Sequence, residues 1–153
     1  LVQTDEINIT TQSSKVKHSL VYSGTPEILD VNNTRFVNNK VDNNYYNMSC
    51  MNFKPGNNIS FFMKNQGGND GGFLRRTFYA PLKLWNFRAH VTINGIVQPE
   101  WFIPKGATWK EYTLMENRLP LSSKTLGNRD KIHIKIEPLT SWCDISYTLF
   151  VIK

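Results

Sequence analysis

Aromatic side chains in the second half of the sequence are interleaved with polar ones. The rings are Trp85, Phe87, Trp101, Phe102, Trp109, Tyr112 and Trp142, and Asn86, Arg88, Asn94, Glu100, Lys105 and Asp144 lie among them. Rings can stack on the flat C–H faces of a sugar while amide, carboxylate and guanidinium groups bind its hydroxyls. The other interpretation is that the rings fill the core, as most Trp and Phe side chains do in a domain of this size.

Two tryptophans are expected to lie at the surface. Trp101 lies near two prolines and Trp142 lies in a predicted loop, whereas at least two of the four Trp side chains should be buried. A glycan site would combine an exposed ring with a polar neighbour. The candidate ligand-binding residues are Trp101, Trp109, Trp142, Asn69, Asp70, Arg88 and Glu100.

The sequence contains no motif that specifies catalysis. His18, His90 and His133 do not have the spacing of adjacent metal ligands. All three fall on predicted strands, where a histidine on a polar sheet face is the ordinary interpretation. No Gly-x-Ser-x-Gly turn marks a nucleophile. We therefore predict no catalytic residue, no metal site and no cofactor.

A glycine-rich segment, residues 65–72, separates two groups of predicted strands. It carries no apolar side chain, so we expect it to be exposed and mobile. It lacks the lysine and the following helix of a phosphate-binding loop, and Asp70 as a single carboxylate would make a poor Ca²⁺ site. The segment is either a flexible connection or a recognition loop held on a rigid scaffold.

The net charge is +6 and the isoelectric point is near 9.4, which favours acidic partners without identifying one. The basic residues, including Arg75 and Arg76, are dispersed and are interpreted as surface charge rather than as a nucleic-acid-binding arm. No apolar run reaches the roughly 18 residues that a membrane span needs. The chain start lacks the blocks of a signal peptide. Neither nucleic acid nor membrane insertion is expected.

Two cysteines, Cys50 and Cys143, lie far apart and form no Cys-x-x-Cys pair. They are either buried free thiols or one disulfide, and the sequence leans towards the disulfide because both lie near strand ends that the fold could bring together. Asn-x-Ser/Thr sequons in a secreted protein accept glycans, but a chain this rich in Asn also produces them by chance. The sequons begin at Asn8, Asn32, Asn47 and Asn58.

Strand-like alternation of apolar and polar residues recurs along the chain, whereas the helical period is nearly absent. The clearest strand is Lys131–Glu137, whose isoleucines should face the core while His133 and Lys135 face outward. Asn94-Gly95 predicts a tight hairpin between flanking alternating runs. Strands are also predicted at Lys15–Tyr22, Glu27–Val31, Arg35–Val37, Tyr45–Phe53, Asn58–Lys64, Arg88–Ile93, Ile96–Val97, Trp109–Leu114 and Ile145–Val151, with an edge strand or loop at Glu100–Ile103.

Roughly eight to ten short strands separated by turns predict an all-β fold. We expect a single-domain antiparallel β-sandwich over residues 1–153, jelly-roll-like in arrangement. The order Arg88-Ala-His-Val-Thr-Ile-Asn-Gly, then Thr108-Trp109, then a strand near 132–136 and a last strand after Asp144 resembles galactose-binding-like carbohydrate modules. The resemblance covers the chain from Arg88 onward, and no site residue is carried over from it.

Three functional hypotheses fit these features. The first, which we adopt, is a non-enzymatic binding domain that recognises glycans or a host or cell surface through exposed aromatic and polar loop residues. The second is a viral or phage structural domain such as a capsid, spike or fibre head, which assembly into a homo-oligomer would favour. The third is a small β-sandwich hydrolase or lyase, which no motif supports. The expected partner is a glycan or cell-surface receptor, and the expected location is extracellular or the virion surface.

Overall fold

A computed structural model of the chain describes residues 1–24, 27–37, 40–80, 86–103, 113–140 and 142–153, with side chains except at 25–49, 79–85, 104–115 and 141–142. These residues form twelve strands and two short helices. In chain order they are β1 (Val2–Asn8), α1 (Gln12–Lys17), β2 (Val21–Ser23), β3 (Glu27–Val37), β4 (Lys40–Phe53), β5 (Asn58–Lys64), β6 (Gly72–Ala80), β7 (Phe87–Ile93), β8 (Ile96–Val97), β9 (Trp101–Ile103), β10 (Thr113–Leu121), α2 (Ser123–Leu126), β11 (Lys131–Pro138) and β12 (Trp142–Val151).

The strands build two sheets that pack against each other as a β-sandwich, which confirms the all-β prediction. The first sheet has the order β1-β12-β4-β3-β10-β6, and β6 also pairs with β12. The second sheet has the order β2-β5-β11-β7-β8, and the short β9 also pairs with β7. Among the described pairings, β10 with β3 is parallel, over two residue pairs, and the others are antiparallel.

The hydrophobic core lies between the two sheets. On β11 the three isoleucines are fully buried, whereas His133 and Lys135 lie on the opposite side, as predicted. On β12, Tyr147 points into the same core, and its ring centroid lies 5.4 Å from that of Phe61 on β5. The predicted alternation on β11 therefore has the register that places its apolar face inward.

Strands β7 and β8 form the predicted hairpin. Asn94 and Gly95 have φ angles of 51° and 78°, the positive values that a two-residue turn of this kind requires. Ile93 and Ile96 are paired across the turn. The Asn94 side-chain oxygen accepts a hydrogen bond of 2.9 Å from the backbone N–H of His133, which joins the turn to β11.

The strand prediction for Lys15–Tyr22 is wrong. Helix α1 covers the first part of that range, and β2 begins only at Val21. Val16 is 67% exposed and only Leu20 of the apolar side chains in this stretch packs against the core, so the alternation expected of a half-buried strand is missing. The buried side chain is His18, which follows α1 and does not lie on a strand.

Strand β6 was not evident from the sequence because a charged residue occupies one of its inward positions. Leu74, Arg76 and Phe78 all point inward and are buried, while Arg75 and Thr77 between them are partly exposed. The interpretation of Arg76 as surface charge is therefore wrong. Its side chain has no exposed surface at all.

Arg76 is held in a buried network between β6 and β12. Its Nε donates a hydrogen bond to Oδ1 of Asp144, and the Tyr147 hydroxyl donates to Oδ2 of the same carboxylate. The guanidinium carbon also lies 4.1 Å from the Phe78 ring centroid and 4.9 Å from that of Phe87. Burial lowers the pKa of Arg76 to about 10 against the opposing influence of Asp144, so the side chain remains charged at neutral pH.

Cys50 on β4 and Cys143 on β12 form a disulfide, which is the alternative that the sequence analysis favoured. Their Cα atoms are 5.5 Å apart, and 93 positions separate them in the sequence. In the chain-entropy model, closing a loop of this length in the unfolded chain stabilises the fold by up to ~4–5 kcal/mol. The bridge links two strands that are also hydrogen-bonded neighbours.

Replacing Ile134 by Ala should lower the free energy of unfolding by about 2–5 kcal/mol, because the side chain is fully buried and its loss leaves a cavity. Lys135→Ala, the next residue on the outward side of β11, is the matched control and should change stability by less than about 1 kcal/mol. Chemical denaturation followed by tryptophan fluorescence measures both. Equal losses in the two variants would show that β11 has another register.

Replacing Asp144 by Asn should lower the free energy of unfolding by roughly 3–5 kcal/mol, because it removes the carboxylate that neutralises a fully buried guanidinium. The control is Glu116→Gln, which breaks the exposed pair with Arg75 and should cost less than about 1 kcal/mol. Urea melts of the two variants separate these outcomes. If Asp144→Asn unfolds at the wild-type urea concentration, the buried pair does not hold β6 against β12.

Candidate functional site

The outward face of the second sheet carries polar and aromatic side chains. Because neighbouring residues of a strand point to opposite faces, β7 turns Arg88, His90 and Thr92 outward while the residues between them are buried. Strand β9 lies at the edge of the sheet beside β7, with Phe102 directly opposite Arg88. The pairing of β7 with β9 therefore brings separate parts of the aromatic and polar pattern together.

Arg88 and Glu100, both candidate residues, form a bidentate ion pair on this face. Nη2 of Arg88 lies 2.8 Å from Oε1 of Glu100, and Nε lies 3.2 Å from Oε2. The two side chains are 47% and 30% exposed. The pairing holds both charged groups in a common geometry, while the remaining N–H donors and carboxylate lone pairs are available to a ligand's hydroxyls.

The ionisation of the pair is reinforced by its own contacts. The hydrogen bond from Arg88 lowers the pKa of the Glu100 carboxyl although burial opposes it, and the electrostatic influences of Arg88 and of His90 act in the same downward direction. The hydrogen bond to Glu100 raises the pKa of Arg88. Both groups are therefore charged at neutral pH, so the edge of the sheet presents a fixed donor beside a fixed acceptor.

Phe102 supplies an exposed ring next to this pair. It is 49% exposed, whereas its neighbours Trp101 and Ile103 are 2% and 3% exposed and face the core. The strand period thus leaves one of the three large apolar side chains of β9 facing solvent. A ring, a guanidinium and a carboxylate lie within one small area of the sheet.

The expectation that Trp101 is exposed is wrong. Of the two alternatives predicted for Glu100–Ile103, an edge strand or a loop, the strand forms over Trp101–Ile103, but its alternation directs the indole inward. There Nε1 of Trp101 donates a hydrogen bond of 2.7 Å to Oδ1 of Asn117 on β10. Pro99, which precedes β9, does not keep the tryptophan out of the core.

A second exposed ring lies further along the same face. Phe62 on β5 is 43% exposed, and its ring centroid lies 4.8 Å from that of His133 on β11. Between this ring and the Phe102 edge, Lys135 and Glu137 form an ion pair of 2.9 Å. The two rings are roughly 20 Å apart along β11, since a strand rises about 3.3 Å per residue.

Asn69 and Asp70 are not brought to the Arg88 site. The Asp70 backbone N–H bonds to the carbonyl of Ile152, just beyond the end of β12, whereas the Arg88 carbonyl accepts from Leu139, just before β12 begins. Strand β12 has 10 residues, so these two places lie at opposite ends of the sandwich, roughly 30 Å apart. The candidates therefore divide into two groups that cannot share one monosaccharide.

Residues 65–72 are only partly exposed: Gln66, Gly68 and Asp70 face solvent, as predicted, whereas Asn69 and Gly71 are buried. Asn69 is only 9% exposed, its Oδ1 accepts from the Gly71 N–H at 3.1 Å, and its Nδ2 donates to the Gln66 carbonyl at 2.6 Å. Asn65 Nδ2 donates to two backbone carbonyls at and beyond the end of α2. The prediction considered apolar packing alone, but side-chain amides also connect this segment to backbone groups through hydrogen bonds.

The remaining two tryptophan candidates are only partly located. Trp109 lies outside the described residues, with most of the predicted strand Trp109–Leu114. Trp142 begins strand β12 opposite Phe53 and is not in a loop as predicted, but its side chain lies outside the described ones. Their roles in ligand binding stay predictions.

Sequence reasoning missed the two exposed phenylalanines as site residues, although a signal for each was present. Trp101 and Ile103 flank Phe102, and the inward Phe61 and Met63 flank Phe62, so the strand period alone places both rings outward. Over the part of the chain with described side chains, no three His, Cys, Asp or Glu residues are grouped as metal ligands. None of the helices there has the length and apolarity to cross a membrane.

No protein-family model and no curated protein matches the sequence. Solved structures do match. One is an exo-β-1,3-galactanase from Phanerochaete chrysosporium with β-1,3-galactotriose, with a TM-score of 0.59 and 11% identity over 97% of this chain and 29% of that chain. Another is a family GH115 4-O-methyl-α-glucuronidase with specificity for decorated arabinogalactans, with a TM-score of 0.53 and 10% identity over 100% of this chain and 18% of that chain.

A family 35 carbohydrate binding module from Clostridium thermocellum aligns with a TM-score of 0.49 and 17% identity, over 86% of this chain and 97% of that chain. This chain spans less than a third of the galactanase and of the glucuronidase. At the identities of those two enzymes, the likeness concerns the fold alone. The comparisons therefore agree with the sheet pairing in one conclusion, that the chain has the fold of an all-β sandwich.

Proposed function

We propose that this chain is a non-catalytic module that binds glycans on the outward face of its second sheet. The observation that carries the proposal is the exposed Phe102 ring beside the Arg88–Glu100 pair. A sugar stacked on the ring would place its hydroxyls near a guanidinium donor and a carboxylate acceptor whose positions are already set. Such a site needs no catalytic group, metal or cofactor.

The strength of the interaction can be bounded from the size of the ring. Covering about 50 Å² of apolar ring surface contributes roughly 1 kcal/mol at 25 cal/mol per Å². Millimolar affinity corresponds to about 4 kcal/mol, so the ring alone does not account for binding. Hydrogen bonds to the charged pair, at roughly 1.5–3 kcal/mol each, supply the rest. We therefore expect affinities between millimolar and micromolar.

The structures of similar fold suggest which glycans to test first. One is a galactanase with β-1,3-galactotriose, and another is a glucuronidase with specificity for decorated arabinogalactans. β-1,3-Galactan and arabinogalactan are therefore the first probes. The Cys50–Cys143 disulfide supports an extracellular location, where such polysaccharides occur, because disulfides persist in oxidising compartments.

Phe102→Ala should weaken retention on immobilised β-1,3-galactan or arabinogalactan at least about tenfold, because it removes the stacking surface and the shielding of the hydrogen bonds beside it. Its melting temperature should remain near that of the wild type, since the ring faces solvent. Affinity electrophoresis and thermal melts measure the two effects. Val97→Ala, which removes another exposed apolar side chain from the neighbouring β8, is the matched control and should bind normally.

A second variant separates binding from folding. Trp101→Ala should cost roughly 3–5 kcal/mol of stability, because the indole belongs to the core and not to the site. Unchanged retention of Phe102→Ala would contradict the proposed site. If the wild-type protein is retained on no glycan of a broad neutral panel, the proposed function itself is wrong.

A further inference from the structure

A cleft of about 260 Å³ opens at the end of the second sheet away from Phe102. It lies where α1 and β1 meet the ends of β5 and β11. Its walls include Asp5, Lys17, His18, Phe62, Lys64 and Lys131. The volume lies just below the roughly 300–1,000 Å³ of sites for drug-sized ligands, so the cleft suits a single sugar residue.

The inner wall of the cleft is a hydrogen-bonded pair, Asp5 and His18. His18 is 4% exposed, with Nε2 3.0 Å from Oδ1 of Asp5 and Nδ1 2.7 Å from the Ser14 carbonyl. The carboxylate also accepts from the backbone N–H groups of Lys64 and Glu6 at 2.8 and 2.9 Å. Burial by itself raises the pKa of Asp5, but these hydrogen bonds and the His18 interaction lower it, and the net shift is downward. Both carboxylate oxygens of Asp5 thus accept hydrogen bonds from within the protein.

The outer wall of the cleft is positively charged. Lys64 and Lys131 lie directly opposite each other at the ends of β5 and β11, and Lys17 is the last residue of α1. All three are exposed, and none takes part in the ion pairs found among the described residues. Three lysines and one carboxylate, which is already hydrogen-bonded, therefore line the cleft. This excess of positive side chains favours an anionic ligand.

The residue types that line the cleft indicate which kind of anion it can bind. Lysine ammonium groups are compact charges that can surround a tetrahedral oxyanion, whereas the planar fork of arginine matches a carboxylate. Phe62, 43% exposed, adds an apolar wall beside the lysines. A ligand that uses all these features has a ring with a flat face of C–H groups and a tetrahedral oxyanion attached to it.

We propose that this cleft binds a sugar bearing a sulfate or phosphate ester, with the sugar ring against Phe62 and the ester among Lys17, Lys64 and Lys131. The cleft is separate from the Arg88–Glu100 site, roughly 20 Å away along β11. The inference therefore does not depend on glycan binding there. With a sulfate or phosphate ester bound at one end and sugar hydroxyls bound at the other, the module would recognise two chemical groups of one polysaccharide.

Galactose 6-sulfate, galactose 6-phosphate, galacturonic acid and galactose are titrated against the intact protein at low salt, with binding followed by calorimetry and by amide chemical shifts. The sulfate or phosphate sugar should bind at least about tenfold more tightly than galactose and galacturonic acid, and its affinity should fall with added salt. Whichever of the two esters binds more tightly, sulfate or phosphate, is the type of ester that the cleft recognises. Equal affinity for all four sugars would overturn the proposal.

Lys64→Gln, Lys131→Gln and Phe62→Ala should each weaken binding of the preferred ester about fivefold or more. Lys135→Gln is the matched control, because it removes one positive charge from the same face of β11 at a lysine that is paired with Glu137. Circular dichroism verifies that each variant is folded. If Lys135→Gln weakens binding as much as Lys64→Gln, overall charge and not the cleft attracts the ester, and the proposal is wrong. Phe102→Ala should leave ester binding unchanged, which distinguishes this site from the proposed glycan face.

Discussion

Arg76 and Asp144 meet between β6 and β12 without any exposed surface, and Tyr147 completes the hydrogen bonding of the carboxylate. A buried charge is very costly unless a partner and hydrogen bonds neutralise it. The pair can form only if β6 and β12 lie side by side with Arg76 level with Tyr147, which is the register observed. A slip of that register would separate the two buried charges, so we expect the ion pair to favour the observed pairing of β6 with β12.

The same network extends to the second sheet and so to the surface. The Arg76 guanidinium lies 4.9 Å from the ring of Phe87, the first residue of β7. Because neighbouring residues of a strand face opposite ways, packing Phe87 inward directs Arg88 outward. Arg88 then meets Glu100 on β9. The candidate glycan face is in this way positioned by a charged contact in the core.

Strand β11 separates two surfaces of different chemistry. At one end, an ion pair and the Phe102 ring offer both donors and acceptors, which suits neutral hydroxyl groups. At the other end, Lys64 and Lys131 face each other beside Phe62, which suits an anion. The excess of basic over acidic residues in the composition is thus partly concentrated where the sheet ends, although the sequence alone shows these lysines as dispersed.

The sequence by itself determined the strand period, and with it the all-β class, the buried isoleucines of β11 and the Asn94-Gly95 hairpin, because each depends on residues close together in the chain. It also identified Arg88 and Glu100 as candidates. Only the tertiary structure decided that these two pair, that Trp101 points inward, and that Arg76 is buried. These outcomes depend on which strands lie side by side and which face the other sheet covers, and both are contacts between residues distant in sequence.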